Sequence, residues 1–134
     1  MVETTKGISL DKGVIYNYFS SLVNHFFKIL PMFESKEESL STYLESLQVE
    51  LLGFKELIVA INKDPYYIVL LSILQYFINN PDASVKVIKR EVFRAISICN
   101  RLKACYASEV ERWVYGKDMK AECMLVEWTE EKLH

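Results

Sequence analysis

Side chains able to do chemistry are few in this chain, and most of them are charged rather than nucleophilic. The stretch SVKVIKREVFRAISICNRLK holds six Lys or Arg and one Glu, although the formal net charge of the whole chain is -2. Upstream, the segment from Glu34 to Glu50 holds five acids and one base. Opposed charge blocks of this kind serve docking to a partner of opposite sign, or simply wet the outer side of buried helices. On a helical projection Lys86, Arg90, Arg94 and Arg101 fall opposite the apolar residues of their own stretch, and Phe93 falls between Lys86 and Lys89. An aromatic ring among arginines has the composition of a binding hot spot. Lys86, Lys89, Arg90, Phe93, Arg94 and Arg101 are therefore the candidate partner-binding residues.

The ingredients of catalysis are sparse. Of two histidines, His25 lies in NHFFKIL, where a hydrogen-bonded structural role is expected. Glu131 and His134 have the helical spacing of half a di-metal site, but the pattern occurs once. Glu34, Glu37, Glu38 and Glu45 are acidic enough to suggest a magnesium-binding helix, yet their positions read as a solvated face. Cys99, Cys105 and Cys123 lie six or more residues apart, which fits neither an even disulfide framework nor a close metal pair, so a reducing compartment is expected. Cys99 is expected in the core, and Cys105 and Cys123 are expected to be more accessible. There is no Gly-rich phosphate loop, Gly-x-Ser-x-Gly elbow, His-Glu-x-x-His or Cys-x-x-Cys. No catalytic residue, cofactor or metal site is assigned.

The elements that must position these residues are helical. A chain that is 51% hydrophobic and 13% aromatic has ample material for one core, and 134 residues fit one domain. Ile15, Phe19, Leu22, Phe26 and Ile29 make a first helical stripe over 14–30, stopped at Pro31. Ser35 to Glu38 reads as a capping box opening a second helix. Its seam, Leu40, Leu44, Leu47, Leu51, Phe54, Ile58 and Ile61, has heptad spacing, with Glu38, Glu45 and Glu56 outside, and one continuous helix is expected across Gly53.

Asp64 and Pro65 cap a third helix over 65–79, apolar on nearly every side and hence expected to be central. A fourth is expected from about Ser84 towards Gly116, the longest if unbroken. Its core arc is Ile88, Val92, Ala95, Cys99, Leu102, Tyr106, Val110 and Trp113. The N-terminal residues lack a basic region followed by an apolar run, and YYIVLLSILQYFI is short of the ~20 apolar residues of a spanning helix. A cytoplasmic location without membrane insertion is the expectation.

The sequence thus predicts an all-α, single-domain four-helix bundle, two long and two short helices, with its core over about 11–116 and a short extension at 117–134. The pI near 5.7 argues against non-specific nucleic-acid binding as the main task. The expected function is that of a non-enzymatic helical adaptor, inhibitor or regulator acting through the basic face and self-associating. One alternative is a nucleic-acid-associated regulator contacting phosphates through the same face. A second is a magnesium-dependent hydrolase using the acidic helix.

Overall fold

The computed structural model describes residues 2–107. A two-stranded hairpin, β1 (Val2–Glu3) and β2 (Ser9–Leu10), leads into α1 (Lys12–Glu34), α2 (Leu40–Leu57), the four-residue α3 (Val59–Asn62), α4 (Pro65–Asn79) and α5 (Val85–Cys105). The four longer helices run alternately up and down. Tyr18 of α1 meets Phe54 of α2 and His25 meets Tyr43; Tyr67 of α4 reaches Leu51 of α2; Arg101 of α5 covers Tyr66 of α4; and Phe27 and Phe19 of α1 meet Phe93 and Tyr106. Each α1, α2, α4, α5 neighbour is antiparallel, and the four form a square in that order, with α5 closing against α1. This is the up-down-up-down bundle.

The predicted apolar stripes are the core. Ile15, Phe19, Leu22, Phe26 and Ile29 of α1 are fully buried, as are Ile88, Val92, Ala95 and Cys99 of α5, with Leu102 and Tyr106 barely touched by solvent. Leu40, Leu44, Leu47 and Leu51 line the inner side of α2. Rings span the diagonal between α1 and α4, with Phe19 against Tyr67 and Phe33 against Phe77.

Several boundaries differ from the sequence reading. Proline does not stop α1: Pro31 lies inside it, and the helix runs on to Glu34. The carbonyl deprived of a donor is that of Phe27, on the exposed side, while the added turn buries Phe33 against Phe77, 5.8 Å between centroids. Ser35 is the C-cap of α1, not the start of α2, and its hydroxyl donates to the Pro31 carbonyl. Lys36 takes φ 51 and the Glu37 N–H reaches back to the Met32 carbonyl, a left-handed C-terminal motif that consumes the residues of the expected capping box.

The second helix breaks, at Ile58 rather than Gly53. Ile58 is extended (φ -102, ψ 117) and pairs with Thr4, which follows β1 in the hairpin loop, while the Thr5 N–H satisfies the Leu57 carbonyl. Ile58 stays fully buried through the break, as does Ile61 of α3. The core therefore begins at Val2, not near residue 11, with Gly7 (φ +77) making the hairpin turn.

The third predicted helix, α4, has the expected bounds but is a corner of the square and not its centre. Ile68, Ser72, Gln75 and Asn79, spaced four, three and four, make a solvent-facing line. The last helix ends at Cys105, leaving the 23-residue α1 longer than the 21-residue α5. Val110, Trp113 and the extension over 117–134 lie outside the described residues.

The cap of α4 has a pH consequence. Asp64 is 7% exposed and accepts hydrogen bonds from the Tyr66 and Tyr67 N–H groups. Burial pushes its carboxyl above the ordinary 3.8, an effect that the two donors only partly offset. The folded chain then holds a proton that the unfolded chain has released, so this group's contribution to stability falls as pH rises above 3.8. Thermal melts across pH should show the wild type losing stability relative to Asp64→Asn, which keeps the acceptor without the charge. Asp64→Ala should cost about 1 kcal/mol at neutral pH.

Candidate functional site

Ser84 caps the start of α5, its hydroxyl accepting from the Val87 N–H, and the apolar arc of the helix turns inward against α1 and α4. That rotation presents Lys86, Lys89, Arg90, Phe93 and Arg94 to solvent together. The first turn of the helix contains no acid. Cations at a helix N-terminus oppose the macrodipole, which disfavours the isolated fold and adds to the positive field outside it.

Two surfaces diverge from this row. On the α1 side Phe93 meets Phe27 edge-on, 6.2 Å between ring centroids at 83°. The rings are 46% and 47% exposed, so their contact leaves about half of each in water. Lys89 and Arg90 flank Phe93 at helical spacings of four and three. On the α4 side Glu91 holds both arginines: Arg90 Nε and Arg94 Nη1 each lie 3.3 Å from one of its carboxylate oxygens. The arginines remain 70% and 56% exposed, so these pairs orient the guanidinium groups more than they stabilise the fold. Beside them a groove of about 360 Å³ is lined by Val69, Ser72, Ile73, Tyr76 and the Arg90–Glu91–Arg94 trio.

Among the predicted site residues, the fold thus gathers Lys86, Lys89, Arg90, Phe93 and Arg94. Arg101 stands apart. It is half-buried two turns further along, its guanidinium carbon 5.1 Å from the centroid of the Tyr66 ring on α4. Phe27 is the member that sequence reasoning missed. The signal was present in the pair Phe26-Phe27, of which only Phe26 belongs to the inward stripe, leaving its neighbour to face out.

The other chemical candidates take structural roles or lie apart. His25 Nδ1 is 2.8 Å from the Tyr43 hydroxyl, which also approaches the His25 carbonyl, tying α1 to α2. Glu34, Glu37, Glu38 and Glu45 are exposed. Among the described residues no group of three or more His, Cys, Asp or Glu is placed to hold a metal ion. Glu131 and His134 lie outside the described residues. No described helix is long and apolar enough to cross a membrane.

The expectation of an accessible Cys105 is corrected: it is 3% exposed, in the last turn of α5. Cys123 lies outside the described residues.

The core contains a small polar cluster. The Tyr67 hydroxyl donates to the Leu51 carbonyl at 2.7 Å. Burial, then the charge of Glu50, pushes the Tyr18 phenol far up, and its buried hydroxyl has no partner at hydrogen-bonding geometry. Burial also raises the Cys99 thiol to about 12.

The outer side of α2 carries a second exposed row. Glu45, Val49, Leu52, Gly53 and Glu56 all face solvent, Val49 at 70% and Leu52 at 44% exposure. Gly53 costs about 1 kcal/mol relative to Ala in a helix interior. Nothing in the fold demands it, since an added Cβ would meet no atom within 4 Å.

The chain matches no family model, no curated protein and no solved structure.

Cys99 should resist alkylation in the native protein and react only once the chain is unfolded, because the thiolate is the nucleophile and burial suppresses it. Peptide mapping after iodoacetamide treatment with and without denaturant checks this, and rapid native labelling of Cys99 would contradict the packing of α5.

Proposed function

We propose that this chain is a non-enzymatic interaction protein, an adaptor, inhibitor or regulator, that receives an acidic protein partner on the row formed by Lys86, Lys89, Arg90, Phe93 and Arg94 together with Phe27. The observation that carries this reading is the Phe27–Phe93 pair: two rings from different helices, each about half in water, bordered by cations. Large aromatic surface beside directional guanidinium donors is what binding hot spots are made of. Four cations against the single Glu91 leave this stretch of α5 at about +3, enough to steer an acidic partner.

Contact with nucleic-acid phosphates is the second reading, favoured by the exposure of Lys86 and Lys89, which make no ion pair among the described residues. Salt and Phe93 separate the two. A protein partner cross-linked and purified from the native cell should bind Phe93→Ala about 30-fold more weakly, the effect of losing a hot-spot ring of about 2 kcal/mol. Both rings being partly exposed, the variant should keep its helical circular dichroism. Binding of a duplex oligonucleotide that falls steeply with salt and ignores Phe93→Ala would instead establish the phosphate reading.

A further inference from the structure

The two exposed rows complement one another, and the fold prevents them from meeting within one molecule. α2 and α5 stand at opposite corners of the square, with α1 and α4 between them, so their outer faces point away from each other. On α2, the apolar pair Val49 and Leu52 lies between Glu45 and Glu56. On the other side, the apolar pair Phe27 and Phe93 lies beside Lys86, Lys89 and Arg90. Apolar centres of similar size, bordered by opposite charges, suit burial of both pairs with the charges matched at the rim. Gly53, one residue from Leu52 and four from Val49, bares the α2 backbone at the middle of its row, where a second helix can approach closely.

We propose that the Glu45, Val49, Leu52, Gly53 and Glu56 face of α2 docks on the Phe27–Phe93 basic face of a second copy of this chain. This rests on the binding role assigned above to the α5 face, and names its acidic partner. Because the two faces differ, the contact is heterologous: each copy offers one donor face and one acceptor face on opposite sides. Such contacts build rings of three or more copies where the rotation closes and open rows where it does not, rather than a two-fold pair.

Sedimentation of the full chain tests this directly. At an ionic strength of about 0.1 M the weight-average mass should climb with concentration past the dimer, and at about 1 M, where the Debye length shrinks to about 3 Å, it should fall towards the monomer. A variant with the basic face disabled, Lys89→Glu with Phe93→Ala, and one with the acidic face disabled, Glu45→Lys with Leu52→Lys, should each be monomeric alone. Mixed in equal amounts they should give a one-to-one dimer that does not grow, since one intact face of each kind remains. Gly53→Ala should raise the melting temperature while weakening assembly about tenfold, opposite signs that a purely structural glycine would not give.

A wild type that stays monomeric at every concentration and salt, one that stops at a dimer, or a mixture of the two variants that remains monomeric would each overturn the proposal. If the wild type is monomeric while Phe93→Ala still loses a cellular protein partner, the α5 face keeps its binding role and only the identification of a second copy fails.

Discussion

The outward face of α5 follows from how its apolar arc is buried against α1. Ile88, Val92, Ala95, Cys99 and Leu102 occupy one side of the helix with almost no polar interruption, and they share one core with Ile15, Phe19, Leu22, Phe26 and Ile29 of α1, the helix against which α5 packs. Burial of a single Leu or Ile side chain is worth about 1.5–3 kcal/mol. Rotating α5 by even one residue position would expose several of them at once. The rotation is thus fixed by the interior, and the position of Lys86, Lys89, Arg90 and Phe93 in solvent is its obligatory counterpart. No polar contact on the surface approaches that energy, least of all the two Glu91 pairs.

The interior could be read from the sequence because it obeys periodicity. Every stripe residue assigned to α1 and α2, and every arc residue of α5 as far as Tyr106, is buried or packed against the core. The failures share a different cause: they lie where one segment's local signal is overridden by a contact distant in sequence. Ile58 has the spacing of a helix seam, yet Thr4 and Thr5, more than fifty residues earlier, pull its backbone into extended pairing. Ser35 and Glu38 have a start signal, but the termination of α1 uses that peptide first. Pro31 is a stop signal that loses to the burial of Phe33. The solvent line Ile68, Ser72, Gln75 and Asn79 was legible in principle, and its one apolar member, half-exposed, disguised it.

The candidate surface was legible in part for the same reason. Residues on one helix could be grouped by projection, and five of the six so grouped are exposed together on α5. A site shared by two helices cannot be found that way, and Phe27 entered only once α1 and α5 were seen side by side. Arg101 left the group because Tyr66, on a third helix, offers its ring to the guanidinium.

The alternation of helix directions also gives the molecule two distinct poles. The hairpin, the Ile58 break, the start of α1 and the close of α5 share one pole, as the contacts of Tyr16 with Lys103 and Phe19 with Tyr106 require. Phe93 precedes Cys105, the last residue of α5, by twelve residues, about 18 Å of helix at 1.5 Å per residue, and so sits towards the other pole. A label, tether or fused domain joined at the hairpin pole would therefore stand well clear of the aromatic pair, leaving that end of the bundle open for immobilised or single-molecule measurements.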